Sequence, residues 1–158
     1  MATFLFNEII FGPVKSRRLG VSLGVNLLPT KSKVCNFDCI YCECGWTNSA
    51  ESAKLPSRNE VKQRMQERFE QMQANADNLD VITFAGNGEP TLHPSFAEII
   101  GDTIELRNQY FPEARVAVLS NSTMLHKKKV VDALLKVDQN ILKLDSGYDS
   151  TIQLLNQP

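Results

Sequence analysis

Four cysteines stand inside the stretch KVCNFDCIYCECGW, residues 33–46, and the chain has no others. They run Cys35, three residues, Cys39, two residues, Cys42, one residue, Cys44. Clustered thiolates are soft ligands suited to zinc or iron-sulfur centres. Structural zinc usually draws its cysteines as two pairs from separate knuckles, so that four sulfurs approach a tetrahedral centre from different directions. A single short run makes that approach hard. A cubane cluster spreads its irons over several ångström, and a loop can wrap it with successive thiolates. Three loop cysteines then hold three irons. The fourth iron takes Cys44, which closes the centre for electron transfer, or stays free of protein, which leaves a coordination site open as in catalytic zinc. Spacing alone leaves both outcomes standing, although Cys42 and Cys44, in an irregular loop rather than on a strand, are expected to point apart, which favours Cys44 as a non-ligand.

A chain of 158 residues with 42% hydrophobic content can bury one sizeable core, so a single domain spanning 1–158 is expected. The formal net charge of −1 provides no overall positive field, and affinity for nucleic acid would have to come from local patches. The N-terminus MATFLFNEII reaches Glu8 before any apolar run long enough for a signal peptide, and no later run approaches a membrane span. A cytoplasmic protein with no membrane partner is expected. Thiols stay reduced there, so the cysteines read as ligands or redox groups before disulfides.

The elements that must position this loop alternate between helical and strand-like patterns, which predicts an α/β fold with a parallel sheet. Val61, Met65, Phe69, Met72 and Ala76 recur along one helical face behind Ser57, with Glu60 placed for a capping box. Leu79–Ala85 is a short apolar run of β-formers, read as a buried strand. Pro94 and Ser95 open a second helix with Phe96, Ile99, Ile100 and Ile104 inward, followed by a strand near Arg115–Leu119. A third helix turns Val130, Val131, Leu134 and Leu135 inward, NILKLDSG follows as a strand, and a fourth helix begins near Tyr148.

Reacting groups in parallel α/β folds gather at the carboxyl ends of the strands. Four such tips are predicted: the cysteine segment after NLLPT, GNGEPT at 86–91, SNST at 120–123 and KLDSG at 143–147. Each is polar or Gly-rich while the strand behind it is apolar, as expected if all four converge on one polar ligand site rather than forming separate solvated turns.

Cys35-x3-Cys39-x2-Cys42, with Tyr41 just before the last cysteine, resembles the signature of the radical S-adenosylmethionine (radical SAM) superfamily. GNGEP at 86–90 resembles its Gly-Gly-Glu-Pro motif, with Asn87 in place of the second glycine. The segment FGPVKSRRLG resembles the start of an Fe-S oxidoreductase branch related to wyosine-synthase-like enzymes. This resemblance implies a partial (β/α) barrel, with about four of the usual six βα units present, and a truncated form or a fragment of a longer protein. It implies that Cys35, Cys39 and Cys42 ligate a [4Fe-4S] cluster whose open iron binds S-adenosyl-L-methionine. Tyr41 would pack near the adenine. The turn of Gly86, Asn87, Gly88 and Glu89, running to Pro90, would hold the cofactor's ammonium group through backbone carbonyls, with the Glu89 side chain as a further candidate, and Ser120 and Asn121 would contact its methionine part or ribose. The implied reaction is reductive cleavage of the cofactor to a 5'-deoxyadenosyl radical that abstracts hydrogen from a substrate, which could be a small molecule, a peptide or tRNA. A flavodoxin or ferredoxin is the implied electron donor. An open barrel edge would favour a dimer. The alternative from a different class is a non-catalytic iron-sulfur or zinc module with Cys44 as fourth ligand.

Other residues admit a bland reading beside a functional one. Lys15, Arg17, Arg18, Lys31 and Lys33 form a basic stretch that could reach a phosphate, the cofactor carboxylate or RNA, or be a solvated arm. The lysines at 127–129 are expected to be solvated at a helix start. His93 reads as structural, and Trp46 as core more than as a shield for the cluster. Lys143 and Asp145 share one face of their strand and are site residues only if that face points inward.

Overall fold

The computed structural model of the chain describes residues 3–47 and 54–158. One sheet holds five strands in sequence order: β1 (Ile10–Ser16), β2 (Gly20–Val25), β3 (Val81–Phe84), β4 (Arg115–Ser120) and β5 (Gln139–Leu142). β1 runs antiparallel to β2, and every later pair is parallel. Helices α1 (Arg58–Ala74), α2 (Phe96–Tyr110) and α3 (Lys128–Leu134) form the crossovers, and α4 (Asp149–Asn156) follows β5. The four parallel strands, each succeeded by a helix, are the four βα units of a partial barrel; the antiparallel β1 is an addition the sequence pattern did not predict.

Pairing register assigns alternate residues to the two sheet faces. Leu23, Val25, Ile82, Phe84, Val116 and Val118 face the helices and join Val61, Met65, Phe69, Met72, Phe96, Ile99 and Ile100 in the main core. Each fully buried side chain of this kind is worth about 1.5–3 kcal/mol relative to exposure. Ser22, Gly24, Thr83, Ala117, Leu119 and Ile141 line the concave face. There the Phe11 ring lies against Gly24, where a Cβ would stand 2.1 Å from the ring, and Phe6 stacks on Phe11 with centroids 3.8 Å apart.

α1 forms as expected: Ser57 accepts a hydrogen bond from the Glu60 amide at 3.2 Å, and Val61, Met65, Phe69 and Met72 are buried. Ala76 lies beyond the helix end, in a left-handed conformation with φ 56°, and is exposed. In α3 the inward face is Val130, Ala133 and Leu134. Leu135, expected inside, caps this short helix and is 76% exposed.

α1 and α2 are also joined by charge. Arg58 donates to both oxygens of the buried Asp102 at 2.6 and 2.8 Å, and Lys62 adds a bond at 3.1 Å. The Arg58 hydrogen bonds hold the Asp102 carboxyl below its ordinary range. Its contribution is therefore present above the unfolded carboxyl value of about 4 and is lost as pH falls through the lower folded value. Asp102→Asn is expected to lower the Tm by a few degrees at pH 7. The gap to wild type should narrow as thermal unfolding is followed down through about pH 4.

Candidate functional site

The four predicted tips converge. A cavity of about 300 Å³ at the carboxyl ends of the parallel strands is lined by Lys33, all four cysteines, Phe37, Tyr41, Gly86, Gly88, Glu89, Leu119, Ser120, Asn121, Ile141 and Lys143. Its walls thus combine thiols, one buried carboxylate, two cations and an apolar floor from β4 and β5.

The cysteine loop is seated on the β3 tip by a parallel bridge: the Val34 amide donates to the Asn87 carbonyl at 2.9 Å, and the Glu89 amide to the Val34 carbonyl at 3.1 Å. This approach demands glycine at 88, whose φ is +134° and whose Cβ would stand 1.9 Å from the Val34 oxygen. Lys33 then closes the loop from inside. Its ammonium, with a side chain only 1% exposed, donates to Asp38 at 2.8 Å and to the Gly45 carbonyl at 2.9 Å. Burial alone would lower the Lys33 pKa, but the Asp38 hydrogen bond and the neighbouring thiols outweigh it and raise it. Lys33 therefore belongs to the loop's framework. Arg17 and Arg18 sit between β1 and β2, at the opposite end of the parallel strands from the cavity, so the basic stretch is not one surface.

The sulfurs are not equivalent. Cys39 accepts from Lys143 Nζ at 3.2 Å and from Asn156 Nδ2 at 3.3 Å. Burial pushes its thiol up, but these donors prevail and hold it below the ordinary range. Cys35 accepts from the Phe37 amide at 3.4 Å and from Asn121 Nδ2 at 3.7 Å, and burial raises its thiol. Cys44, expected to point away from Cys42, lines the same cavity. It donates to the Gly86 carbonyl at 3.8 Å, and burial together with Cys42 pushes it up to about 11. All four cysteines are free and half-buried. Among the described residues no three His, Cys, Asp or Glu side chains gather closely enough to hold a single metal ion. Four thiols on one cavity, with N–H donors already on two of the sulfurs, are a donor set that fits a thiolate-bound iron-sulfur group.

Glu89 ties two tips together. Its Oε1 accepts from the Thr91 amide, the Thr91 hydroxyl and the Ser120 hydroxyl at 3.1, 2.5 and 2.9 Å, and its Oε2 from the Asn121 amide at 2.6 Å. The carboxylate is 2% exposed, and no cation lies within ion-pair distance of it among the described residues. It thus lines the cavity as a carboxyl group with no ion-pair partner, a complement for a cationic ligand group. Ser120 and Asn121 stand at the cavity wall through this tie. Asn87 does not: its side chain is fully buried on the far side of the turn, bonded to both backbone groups of Phe6 and to the Pro29 carbonyl. The residue in the second-glycine position therefore anchors the N-terminal segment.

Lys143 lines the cavity, Asp145 stands 2.8 Å from it beside the cavity, and Tyr41 donates its hydroxyl to Asp145. The Lys143 ammonium also lies 5.1 Å from the Tyr41 ring centroid and 5.4 Å from that of Phe37. Burial would lower the Lys143 pKa, but Asp145, Tyr41 and Cys39 raise it; the same pairing holds Asp145 down to about 2 against its own desolvation. Asn156, unmarked in the sequence reading, is 2% exposed and donates to Cys39, Tyr41 and Asp145. His93 is structural as expected, with its ring between the Pro56 carbonyl and the Ser95 amide. Trp46 is 64% exposed and belongs neither to the core nor to the cavity wall.

A sequence model described as the Radical SAM superfamily matches residues 30–156. A UPF0026 protein of Helicobacter pylori is 38% identical over 154 residues, covering 95% of this chain and 46% of that protein, so the chain spans about half the relative's length. Among solved structures, TYW1 with a lysine-pyruvate adduct bound aligns with a TM-score of 0.56 at 16% identity, over 86% of this chain and 46% of that one. BtrN in complex with AdoMet and 2-DOIA aligns with a TM-score of 0.50 at 19% identity, over 78% of this chain and 46% of that one. At these identities the two structures speak for the fold.

Proposed function

The chain belongs to the radical SAM superfamily, and from that premise we propose that it is a radical SAM enzyme, or the cofactor-binding part of one, working on S-adenosyl-L-methionine at the cavity above the sheet. The single observation that carries this reading is the convergence of the cysteine loop with the buried Glu89 carboxylate, which has no ion-pair partner among the described residues, on one cavity. Cys35, Cys39 and Cys42 would hold a [4Fe-4S] cluster. When bound, that cluster supplies the electron that cleaves the carbon-sulfur bond of the cofactor and so yields a radical able to abstract hydrogen from substrate.

The chain's own residues do the rest by position and charge. Glu89, fixed by its four hydrogen bonds, meets the cofactor's ammonium group as a rigid charge rather than as a mobile side chain. Gly86 and Gly88 let the turn pack against Asn26 and Val34, where a Cβ would stand 2.2 and 1.9 Å from an oxygen, and so hold Glu89 and the turn's backbone at the cavity. Tyr41, tethered at its hydroxyl, offers a ring face for an adenine. Leu119 and Ile141 supply an apolar floor against which a ligand can pack.

The electron donor we propose is a flavodoxin or ferredoxin, and the substrate is a small molecule, a peptide or tRNA. Among the described residues β5 pairs only with β4, and Ile141, Leu142 and Leu144 beside that edge are exposed, which supports pairing with a further strand or a second copy of the chain. No helix among the described residues is long and apolar enough to cross a membrane.

The place of Cys44 beside Cys42 favours one other reading, a closed electron-transfer centre with Cys44 as fourth ligand. Product analysis separates the two. Anaerobically reconstituted, dithionite-reduced protein is expected to release methionine and 5'-deoxyadenosine from S-adenosyl-L-methionine. A fully loaded cluster that releases neither would contradict the enzyme reading.

A further inference from the structure

Cys39 is the one cysteine whose sulfur receives hydrogen bonds from two side chains of the last βα unit. Lys143 leaves the end of β5 and Asn156 closes α4, and both donate to the same Sγ, at 3.2 and 3.3 Å. Neither donor is held there loosely. Lys143 is fixed by its ion pair with Asp145 at 2.8 Å and by the faces of Tyr41 and Phe37. Asn156 is 2% exposed and has two N–H protons for three acceptors, Asp145, Cys39 and the Tyr41 oxygen. The helix that carries it is bound to the cysteine loop by main-chain bonds as well, from the Ile40 amide to the Leu155 carbonyl at 3.0 Å and from the Asp38 amide to the Gln157 carbonyl at 3.3 Å. An amide buried this completely is costly unless its donors are used. Part of its capacity is spent on a thiol that a purely structural helix end has no reason to contact.

Hydrogen bonds to the sulfurs of an iron-sulfur centre stabilise the form carrying more negative charge, because reduction places part of the added electron on sulfur. We propose that Lys143 and Asn156 are positioning residues that set the reduction potential of the metal centre through Cys39, holding it higher, and so easier to reduce, than the loop alone would. The inference rests on the assignment of Cys39 as a cluster ligand made above. The redox step concerned is one-electron reduction of the cluster, with the electron supplied by dithionite in the test and no bond made or broken in the protein. The arrangement also makes the potential report on α4: displacing the end of this helix removes one donor.

The test is a potentiometric titration of the reconstituted protein followed by electron paramagnetic resonance, with iron and sulfide counted per chain. It compares wild type with Asn156→Leu, which keeps size and removes the donors, and with Lys143→Met, which removes the other donor without touching α4. At the wild-type midpoint the ratio of reduced to oxidised centre is expected to fall about threefold in Asn156→Leu. It should fall about tenfold in Lys143→Met, where a charge-assisted bond is lost. Equal midpoints in loaded wild type and in either loaded variant would overturn the inference and leave the cluster assignment standing. A wild type that takes up no iron and sulfide would overturn that assignment and the inference with it. Should one variant fail to fold, the other decides alone.

Discussion

Serine at Cys35, Cys39 or Cys42 is expected to abolish uptake of iron and sulfide on anaerobic reconstitution, while Cys44→Ser retains them. The difference follows from what each sulfur does in the fold. Cys39 faces the cavity as an acceptor with the Lys143 and Asn156 N–H groups directed at it, an environment that suits a thiolate, and Cys35 accepts there from Phe37 and Asn121. Cys44 acts instead as a donor to the Gly86 carbonyl at 3.8 Å. Loss of even a residue supporting a metal ligand commonly costs about 10–100-fold in affinity, and loss of a ligand costs more. Iron, sulfide and visible absorption, measured on the four single variants side by side, check the prediction. Loss of the centre in Cys44→Ser would favour the closed four-thiolate alternative.

Glu89→Gln is expected to weaken binding of S-adenosyl-L-methionine roughly thirtyfold, the equivalent of about 2 kcal/mol for one charge-assisted interaction. It should also destabilise the fold by about 1–3 kcal/mol, because an amide presents N–H where a donor now points at the carboxylate. Glu89 accepts four hydrogen bonds from Thr91, Ser120 and Asn121, so no orientation of a glutamine side chain satisfies every partner. Equilibrium binding to the reconstituted protein, together with urea unfolding of the same samples, reads the two effects separately. A loss of stability with unchanged affinity would make Glu89 only a tie between the β3 and β4 tips.

Periodicity made α1 legible, since Val61, Met65, Phe69 and Met72 recur every three or four residues and all are buried. Apolar runs ending in Gly, Ser or Asn likewise marked β3 and β4 and the tips that form the cavity. β1 was not legible. Gly12 and Pro13 interrupt it, and its pairing with β2 shifts register between Phe11 and Val14, so no regular alternation survives in the sequence.

Single side chains were harder to place than elements, because long-range contacts decide them. Lys33 belongs to a run of basic residues, yet Asp38 and the Gly45 carbonyl draw it into the loop and bury it. Asn87 fills a position where the motif has glycine, and its amide bonds to Phe6, eighty-one positions away, rather than to the cavity. Trp46 and Leu135 are apolar enough for a core but fall where the chain turns outward. Asn156 carries no local signal at all. Only the return of α4 onto the cysteine loop brings it to Cys39.

The experiment to perform first is an electron paramagnetic resonance spectrum of anaerobically reconstituted, dithionite-reduced protein, recorded with and without S-adenosyl-L-methionine. A reduced [4Fe-4S] signal that changes on addition of the cofactor is the expected result, since it requires both a cluster on the cysteine loop and an iron open to the ligand held by the Glu89 wall. A cluster signal indifferent to the cofactor, or colourless protein containing zinc, would contradict the assignment of this cavity to S-adenosyl-L-methionine.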